Sequence, residues 1–148
     1  MTVHTTSPTR LDAAPLSVRA TLAAAWTSFM FLYIYVDYYH LYKAGTVDDL
    51  LSGVVFEFAI SPALLTGFLA LIAVPALMVA LSATLPARVS RMTNLIVTAL
   101  YVPVTIFNAV GEAWEWVAFY ALSIGLELAL LVVIFRAAWR WPRATSSS

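Results

Sequence analysis

Hydrophobic residues fall in four long runs along this chain, separated by short polar segments. The uncharged runs are Ala20 to Val36, Phe58 to Ala87, Met92 to Gly111, and Trp116 to Phe135, the last interrupted by Glu127 alone. A membrane-spanning helix needs roughly 20 predominantly apolar residues. The runs are continuous rather than alternating in polarity, which argues against β-barrel strands. The pattern therefore predicts four membrane helices.

Local sequence signals set the expected limits of these helices. The predicted helices cover residues 18–43, 62–85, 91–110 and 114–140 of a transmembrane domain at 16–143. Ser17 is a predicted N-cap, Pro62 suits a first helical turn, and Pro86 marks a helix end. The turns after the second and third helices are short, which predicts antiparallel neighbours. The polar ends, residues 1–15 and 144–148, are predicted to be disordered.

The segment from Ala44 to Ser61 is too apolar for an ordinary loop. Thr46 and Asp49 have the spacing of a capping box, which predicts a short helix that Gly53 ends. The pattern from Val54 to Ile60 is ambiguous, and a surface helix or a re-entrant piece is compatible with it.

Positive charge is distributed unequally between the two ends of the predicted helices. Lys43 alone would face one side, and seven arginines would face the other. These are Arg10, Arg19, Arg88, Arg91, Arg136, Arg140 and Arg143. Lysine and arginine are retained on the cytoplasmic side of membrane proteins. The sequence therefore predicts a multi-pass protein of the cytoplasmic membrane with both termini inside (N-in/C-in).

Composition excludes several functional classes. The chain is 62% hydrophobic and 11% charged, with zero formal net charge and no cysteine, and its mean hydropathy is +0.88. Zero net charge gives no basis for nucleic-acid binding. Without cysteine there is no disulfide, thiol relay or thiolate metal site. No catalytic residue, metal site or cofactor motif is recognisable, so an enzyme is the least favoured class.

Glu127 is the strongest functional candidate in the sequence. Eleven uncharged residues precede it and eight follow it, which places it near the middle of the fourth helix. An ionisable residue at that depth is costly and usually functional. Tyr120 and Ser123 share its helix face, seven and four residues earlier. We consider two interpretations: a group that binds and releases protons, and a neutral carboxyl that donates one hydrogen bond across the bundle.

Two prolines lie at a depth similar to that of Glu127. Pro75 and Pro103 lack an N–H, which frees the carbonyls of Leu71 and Ala99 four residues earlier. Together with Tyr120 and Ser123, these carbonyls are the expected hydrogen-bond partners of Glu127. The sequence predicts a polar intramembrane pocket around that residue.

The first helix carries a second polar group. Tyr33, Asp37 and His40 recur at steps of four and three with Trp26 and Met30, so the five share one face. Asp37 is 18 residues beyond Arg19, or about 27 Å along a helix, near the outer membrane boundary. The group is compatible with a polar mouth that binds a cation or passes a proton. We favour the alternative, interfacial side chains that bond to tyrosines or headgroups, because charges at the interface cost much less than charges at the membrane centre.

Three sequence elements also resemble a known family. They are Trp26 with the stretch Tyr33–Asp37, the segment Arg91–Asn94, and Glu127 followed by an aliphatic run into Trp139–Trp141. They are similar to those of a family of small four-helix bacterial membrane proteins, domain of unknown function 6326. The resemblance covers about Leu16 to Arg143. It implies the fold and a bacterial inner-membrane location, and it brings no activity, substrate or cofactor.

We therefore predict an all-α integral membrane four-helix bundle with a candidate binding or proton site. Its residues are Glu127, Ser123, Tyr120, Asp37, His40 and Tyr33. The leading functional hypothesis is proton-linked transport of a small molecule, and the alternative is a non-catalytic structural or partner-binding membrane subunit. The expected partners are the lipid bilayer and a proton or small-molecule ligand, with a homo-oligomer or a larger membrane complex left open.

Overall fold

The computed structural model of the chain describes residues 16–108, 110 and 113–142. Within these ranges the chain forms five α-helices and one small β-hairpin, which lies between the second and third helices. In chain order the elements are α1 (Val18–His40), α2 (Thr46–Leu51), β1 (Val54–Val55), β2 (Phe58–Ala59), α3 (Pro62–Thr84), α4 (Ala87–Phe107), a 3-10 turn (Trp114–Trp116) and α5 (Val117–Trp139). The predicted terminal segments 1–15 and 144–148 lie outside the described residues, as do Gly111 and Glu112.

Four of the described helical segments are long and apolar enough to cross a membrane. They are α1, α3, α4, and α5 together with its 3-10 turn, and they contain 23, 23, 21 and 26 residues. At 1.5 Å per residue, their lengths run from about 31 to 39 Å. The four apolar helices expected from the sequence are confirmed.

The four long helices form an antiparallel bundle. α1 packs against α3 and α5, while α4 packs extensively against α5 and less extensively against α3. The predicted pairs α3–α4 and α4–α5 are thus neighbours. A bond of 2.9 Å from Arg19 to the carbonyl of Ala83 joins the start of α1 to the end of α3.

Aromatic rings fill the centre of the bundle. Trp26 and Phe29 of α1 are completely buried, and Tyr101 of α4 is 4% exposed. The ring of Tyr101 meets those of Trp26 and Phe29 edge to face, with centroids 6.3 and 6.0 Å apart. This geometry favours the contact of a positive ring edge with a negative ring face. Side chains from α1 therefore reach across the bundle to α4.

Serine and proline define the helix ends as the sequence predicts. The Ser17 hydroxyl accepts from the Ala20 N–H at 3.2 Å, and Ser61 caps α3 through Leu64 in the same way at 3.1 Å. α4 begins at Ala87, directly after Pro86, and not at residue 91 as expected. The connection from α3 to α4 is consequently only Leu85 and Pro86.

The segment between α1 and α3 differs from the prediction in two respects. Gly45, not Thr46, occupies the N-cap of α2, with φ at 88° and no side-chain cap bond, so the expected capping box is wrong. Beyond Gly53, strands β1 and β2 pair antiparallel in place of a surface helix or re-entrant piece. Phe56 in the hairpin loop has φ at 55°, which is unusual for a bulky side chain. Its ring contacts those of His40 and Phe68, with centroids 5.1 and 6.4 Å away.

Candidate functional site: a buried polar stripe

A stripe of polar side chains runs along the inner face of α4. Asn94, Thr98, Tyr101 and Thr105 are at most 4% exposed, and Asn108 is half-buried. Their spacing of four, three, four and three residues places all five on one helix face. Thr98, Tyr101 and Thr105 were not recognised in the sequence, although this spacing was the available signal.

One end of the stripe is a hydrogen-bonded network around Asn94. The Trp26 ring N–H donates to Asn94 Oδ1 at 2.7 Å, and the Ser82 hydroxyl donates to the same oxygen at 3.1 Å. The Asn94 amide N–H donates to the Ser90 carbonyl at 2.8 Å. Three helices are joined through this one amide. Asn94 is therefore an interhelical hydrogen-bonding residue.

Tyr101 of α4 bonds to the carbonyl that Pro75 leaves free in α3. Pro75 cannot donate to the carbonyl of Leu71, and the Tyr101 hydroxyl of α4 donates to that carbonyl instead. The sequence correctly identified Leu71 as carrying a free carbonyl. The sequence offered that carbonyl as one of four alternative partners of Glu127, and in the structure Tyr101 bonds to it.

Glu127 lies on the inner face of α5 beside Thr105. Glu127 is 2% exposed and Thr105 is fully buried, and the Thr105 hydroxyl interacts with the Glu127 carboxyl. Neither Oε2 of Glu127 nor Oγ1 of Thr105 has a hydrogen-bond partner of ordinary geometry among the described residues. A buried polar atom without a partner is costly, so this site requires an explanation beyond packing.

The other predicted partners of Glu127 are engaged elsewhere. The Ser123 hydroxyl donates to the Tyr120 carbonyl at 3.1 Å within α5. The Tyr120 hydroxyl bonds to Nδ1 of His40 at 2.9 Å, which joins the start of α5 to the end of α1. The expected bonds from Glu127 to Tyr120 and Ser123 are therefore absent from the described structure, although both side chains line the same face.

Tyr33 interacts with both of the predicted carboxyl groups. It is 7% exposed and interacts electrostatically with both Asp37 and Glu127, and the two carboxyls interact with each other. Asp37 itself is exposed. The Asn108 amide donates to the Tyr33 oxygen at 3.2 Å, which leaves the phenol proton available to an acceptor. The structure thus brings Tyr33, Asp37 and Glu127 into one group, with His40, Tyr120 and Ser123 beside it.

Two grooves on the bundle surface are separate from this group. One, of about 390 Å³, lies between α4 and α5 beside Thr98 and Leu131. The other, of about 310 Å³, lies between α1 and α3 beside Met30 and Ala76. Neither is lined by Glu127. Glu127 is buried away from both grooves, and neither groove is the polar pocket expected from the sequence.

Small residues on the outer face of α5 make no close helix contact within the described bundle. Ala121 and Gly125 are both exposed there. Within the described ranges, no three histidine, aspartate or glutamate side chains are grouped as for a metal ion.

The fold and site define a class: an all-α bundle with four apolar helices and a polar interior ending at a buried carboxyl. The chain belongs to the family of unknown function DUF6326, whose match covers residues 17–146. Neither a curated protein nor a solved structure matches the chain.

Proposed function

We propose that the protein is an integral protein of a bacterial cytoplasmic membrane, with both termini in the cytoplasm. Five arginines support this orientation, since all lie where α1 and α4 begin or where α5 ends; they are Arg19, Arg88, Arg91, Arg136 and Arg140. The other end carries exposed Tyr38, Tyr39 and Tyr42, a composition typical of the membrane interface.

We further propose that Glu127 takes up and releases a proton, coupled to the movement of a small molecule across the membrane. The observation that carries this proposal is the buried, unpartnered Oε2 of Glu127. If packing were the only role of this position, an apolar side chain could fill it without the cost of burying a carboxyl group.

Asp37 and Tyr33 provide the route by which a proton reaches Glu127. Asp37 is exposed at the arginine-poor end of α1, and Tyr33 interacts with both carboxyls. A phenol that accepts from Asn108 can still donate its own proton, so it can connect an exterior acid to an interior one. Uptake and release at Glu127 would then alternate a charged and a neutral state in the bundle centre, which changes the packing energy between α4 and α5.

Difference infrared spectroscopy on the protein in lipid vesicles tests this function. Wild type should show a protonated-carboxyl band that disappears as the pH is raised from acid to alkaline. Glu127→Gln should fold normally and lose the Glu127 component of that band, because an amide cannot release a proton in this range. The matched control is Glu115→Gln, since Glu115 is exposed and accepts from Trp116 at 3.1 Å. A spectrum identical in wild type and Glu127→Gln would contradict the proposal.

A structural or partner-binding subunit remains the second candidate. The network around Asn94 favours it, because those polar groups satisfy one another and thereby fix helix packing. If the stripe and Glu127 served only to fix helix packing, Glu127→Gln would behave as wild type in every pH-dependent assay.

A further inference from the structure

Threonine hydroxyls in this bundle follow two patterns. Four threonines donate to the carbonyl four residues earlier at 2.7 to 3.2 Å; they are Thr21, Thr27, Thr66 and Thr84. This local bond is the usual way in which a helix satisfies a threonine hydroxyl. Thr98 and Thr105 of α4 are more deeply buried than these four, yet neither hydroxyl makes a hydrogen bond of ordinary geometry among the described residues. The hydroxyl of Thr105 is directed to Glu127 instead of its own helix.

The surroundings of Thr105 are rich in oxygen and poor in positive charge. Among the described residues, Tyr33 and Asp37 of α1 are the titratable groups that interact with Glu127 of α5. Tyr101 of α4 interacts with Tyr33, and α3 contributes no titratable group. The described arginines lie at the opposite end of the helices. Lys43 lies over the rings of Trp116 and Tyr120, at 5.5 and 5.3 Å, and His40 bonds to Tyr120.

We propose that Glu127 and Thr105 form a binding site for a monovalent metal cation, sodium, with the Tyr33 oxygen beside it and Asp37 at its outer approach. The geometry supplies two oxygens from adjacent helices, both nine-tenths or more buried and neither with a hydrogen bond of ordinary geometry among the described residues. Alkali cations in membrane proteins are bound by such sets of neutral oxygens and few carboxylates. A divalent ion would require more carboxylates than the one buried here.

Sodium and a proton would compete for Glu127. The cation binds the carboxylate, so protonation of the same oxygen expels it and sodium affinity falls as pH falls. This inference rests on the proposed function, because it names the ion handled at the same carboxyl. It also assigns Thr105 a role in binding that proton transfer alone does not require.

The test is thermal unfolding of the detergent-solubilised full chain in NaCl, KCl or choline chloride at equal ionic strength. At alkaline pH, NaCl should raise the apparent Tm of wild type by about 5 °C over KCl once sodium exceeds its Kd about tenfold. Thr105→Val has nearly the same shape without the oxygen and should lose this increment. Thr27→Val is the matched control, since Thr27 donates to Ala23 at 2.9 Å, and should keep it.

A second measurement covers the case in which Thr105→Val does not fold. Adding NaCl to wild type should shift the Glu127 carboxylate band in the infrared spectrum, and KCl should not; Thr105→Ser should retain the shift. Equal Tm values in NaCl and KCl, or a sodium increment retained by Thr105→Val, would overturn the sodium site. If protonation of Glu127 is still observed in that case, the proposed function stands alone. If protonation of Glu127 is also not observed, both proposals fail.

Discussion

Asn94 is the residue at which most of the interior polar contacts converge. Its side chain bonds to Trp26, Ser82 and Ser90, all fully buried, from three different helices. An amide offers both an acceptor and two donors, which neither a serine nor a leucine could supply at this position. The arrangement of α1, α3 and α4 at this level therefore depends on a single side chain.

We expect Asn94→Leu to lower the free energy of unfolding by about 2 kcal/mol, because Trp26 Nε1 and the Ser82 hydroxyl lose their acceptor. Reversible unfolding in mixed micelles with increasing dodecyl sulfate measures this change. Asn108→Leu is the comparison variant, since Asn108 is half-buried and makes a single bond of 3.2 Å to Tyr33. Equal losses in the two variants would contradict the assignment of a central role to Asn94.

The role of a single residue could be predicted where it follows from covalent chemistry. It could not be predicted where it depends on how one helix is rotated against another. The absent N–H of Pro75 identified the free Leu71 carbonyl, because that follows from covalent structure. Its partner, Tyr101, depends on how α4 turns toward α3, which one sequence does not encode locally. The carboxyl of Glu127 was likewise recognised from its apolar surroundings, while its neighbour Thr105 was not.

Among the elements, the segment between α1 and α3 depends on two glycines in left-handed backbone. Gly45 and Gly53 have φ of 88° and 85°, and no heavy atom lies within 4 Å of the point that a Cβ would occupy at either residue. Replacing either by alanine should therefore cost about 1 to 2 kcal/mol from backbone strain alone.

Gly125→Ala serves as the control for both variants. Gly125 is helical and equally open, so a methyl group there should be neutral or stabilise α5 by about 0.5 to 1 kcal/mol. Amide hydrogen exchange of residues 44–61 measures the effect. Exchange unchanged in Gly45→Ala and Gly53→Ala would show that this segment tolerates another backbone path.

Helices were predicted well because length and hydropathy are properties of a whole segment. Their ends were less accurate: α4 starts at Ala87 because a helix can include Arg88 and Arg91 within its first turns. The hairpin of β1 and β2 was not foreseen, since two-residue strands are too short to show alternation.

For the whole molecule, the absence of cysteine from the sequence allows a direct test of orientation. Ala44 and Ala87 are both exposed and lie at opposite ends of the bundle, so each can be replaced by a single cysteine. On the proposed topology, a membrane-impermeant maleimide added to intact cells should label Ala44→Cys and spare Ala87→Cys, and both should react in lysed cells. The reverse pattern would invert the orientation, and labelling of both in intact cells would contradict the four-helix topology.

The arrangement of the helices was only partly predictable. Short connections required α3–α4 and α4–α5 to be neighbours, and both pairs are observed. The packing of α1 against α3 and α5 follows from burial of Trp26, Phe29 and Tyr33, which were visible as aromatics but also compatible with lipid contact.

The two-residue connection at Leu85 and Pro86 has a consequence for biosynthesis. α3 is far more apolar than α4, with mean hydropathies of 2.5 and 1.3, and so short a link obliges the pair to enter the bilayer as one hairpin. Trp26 and Ser82 are synthesised before Asn94, so the amide finds both partners as soon as the hairpin inserts. Thr105 must wait for α5 to bring Glu127. The nascent chain would thus complete the network around Asn94 first and bring Thr105 and Glu127 together last.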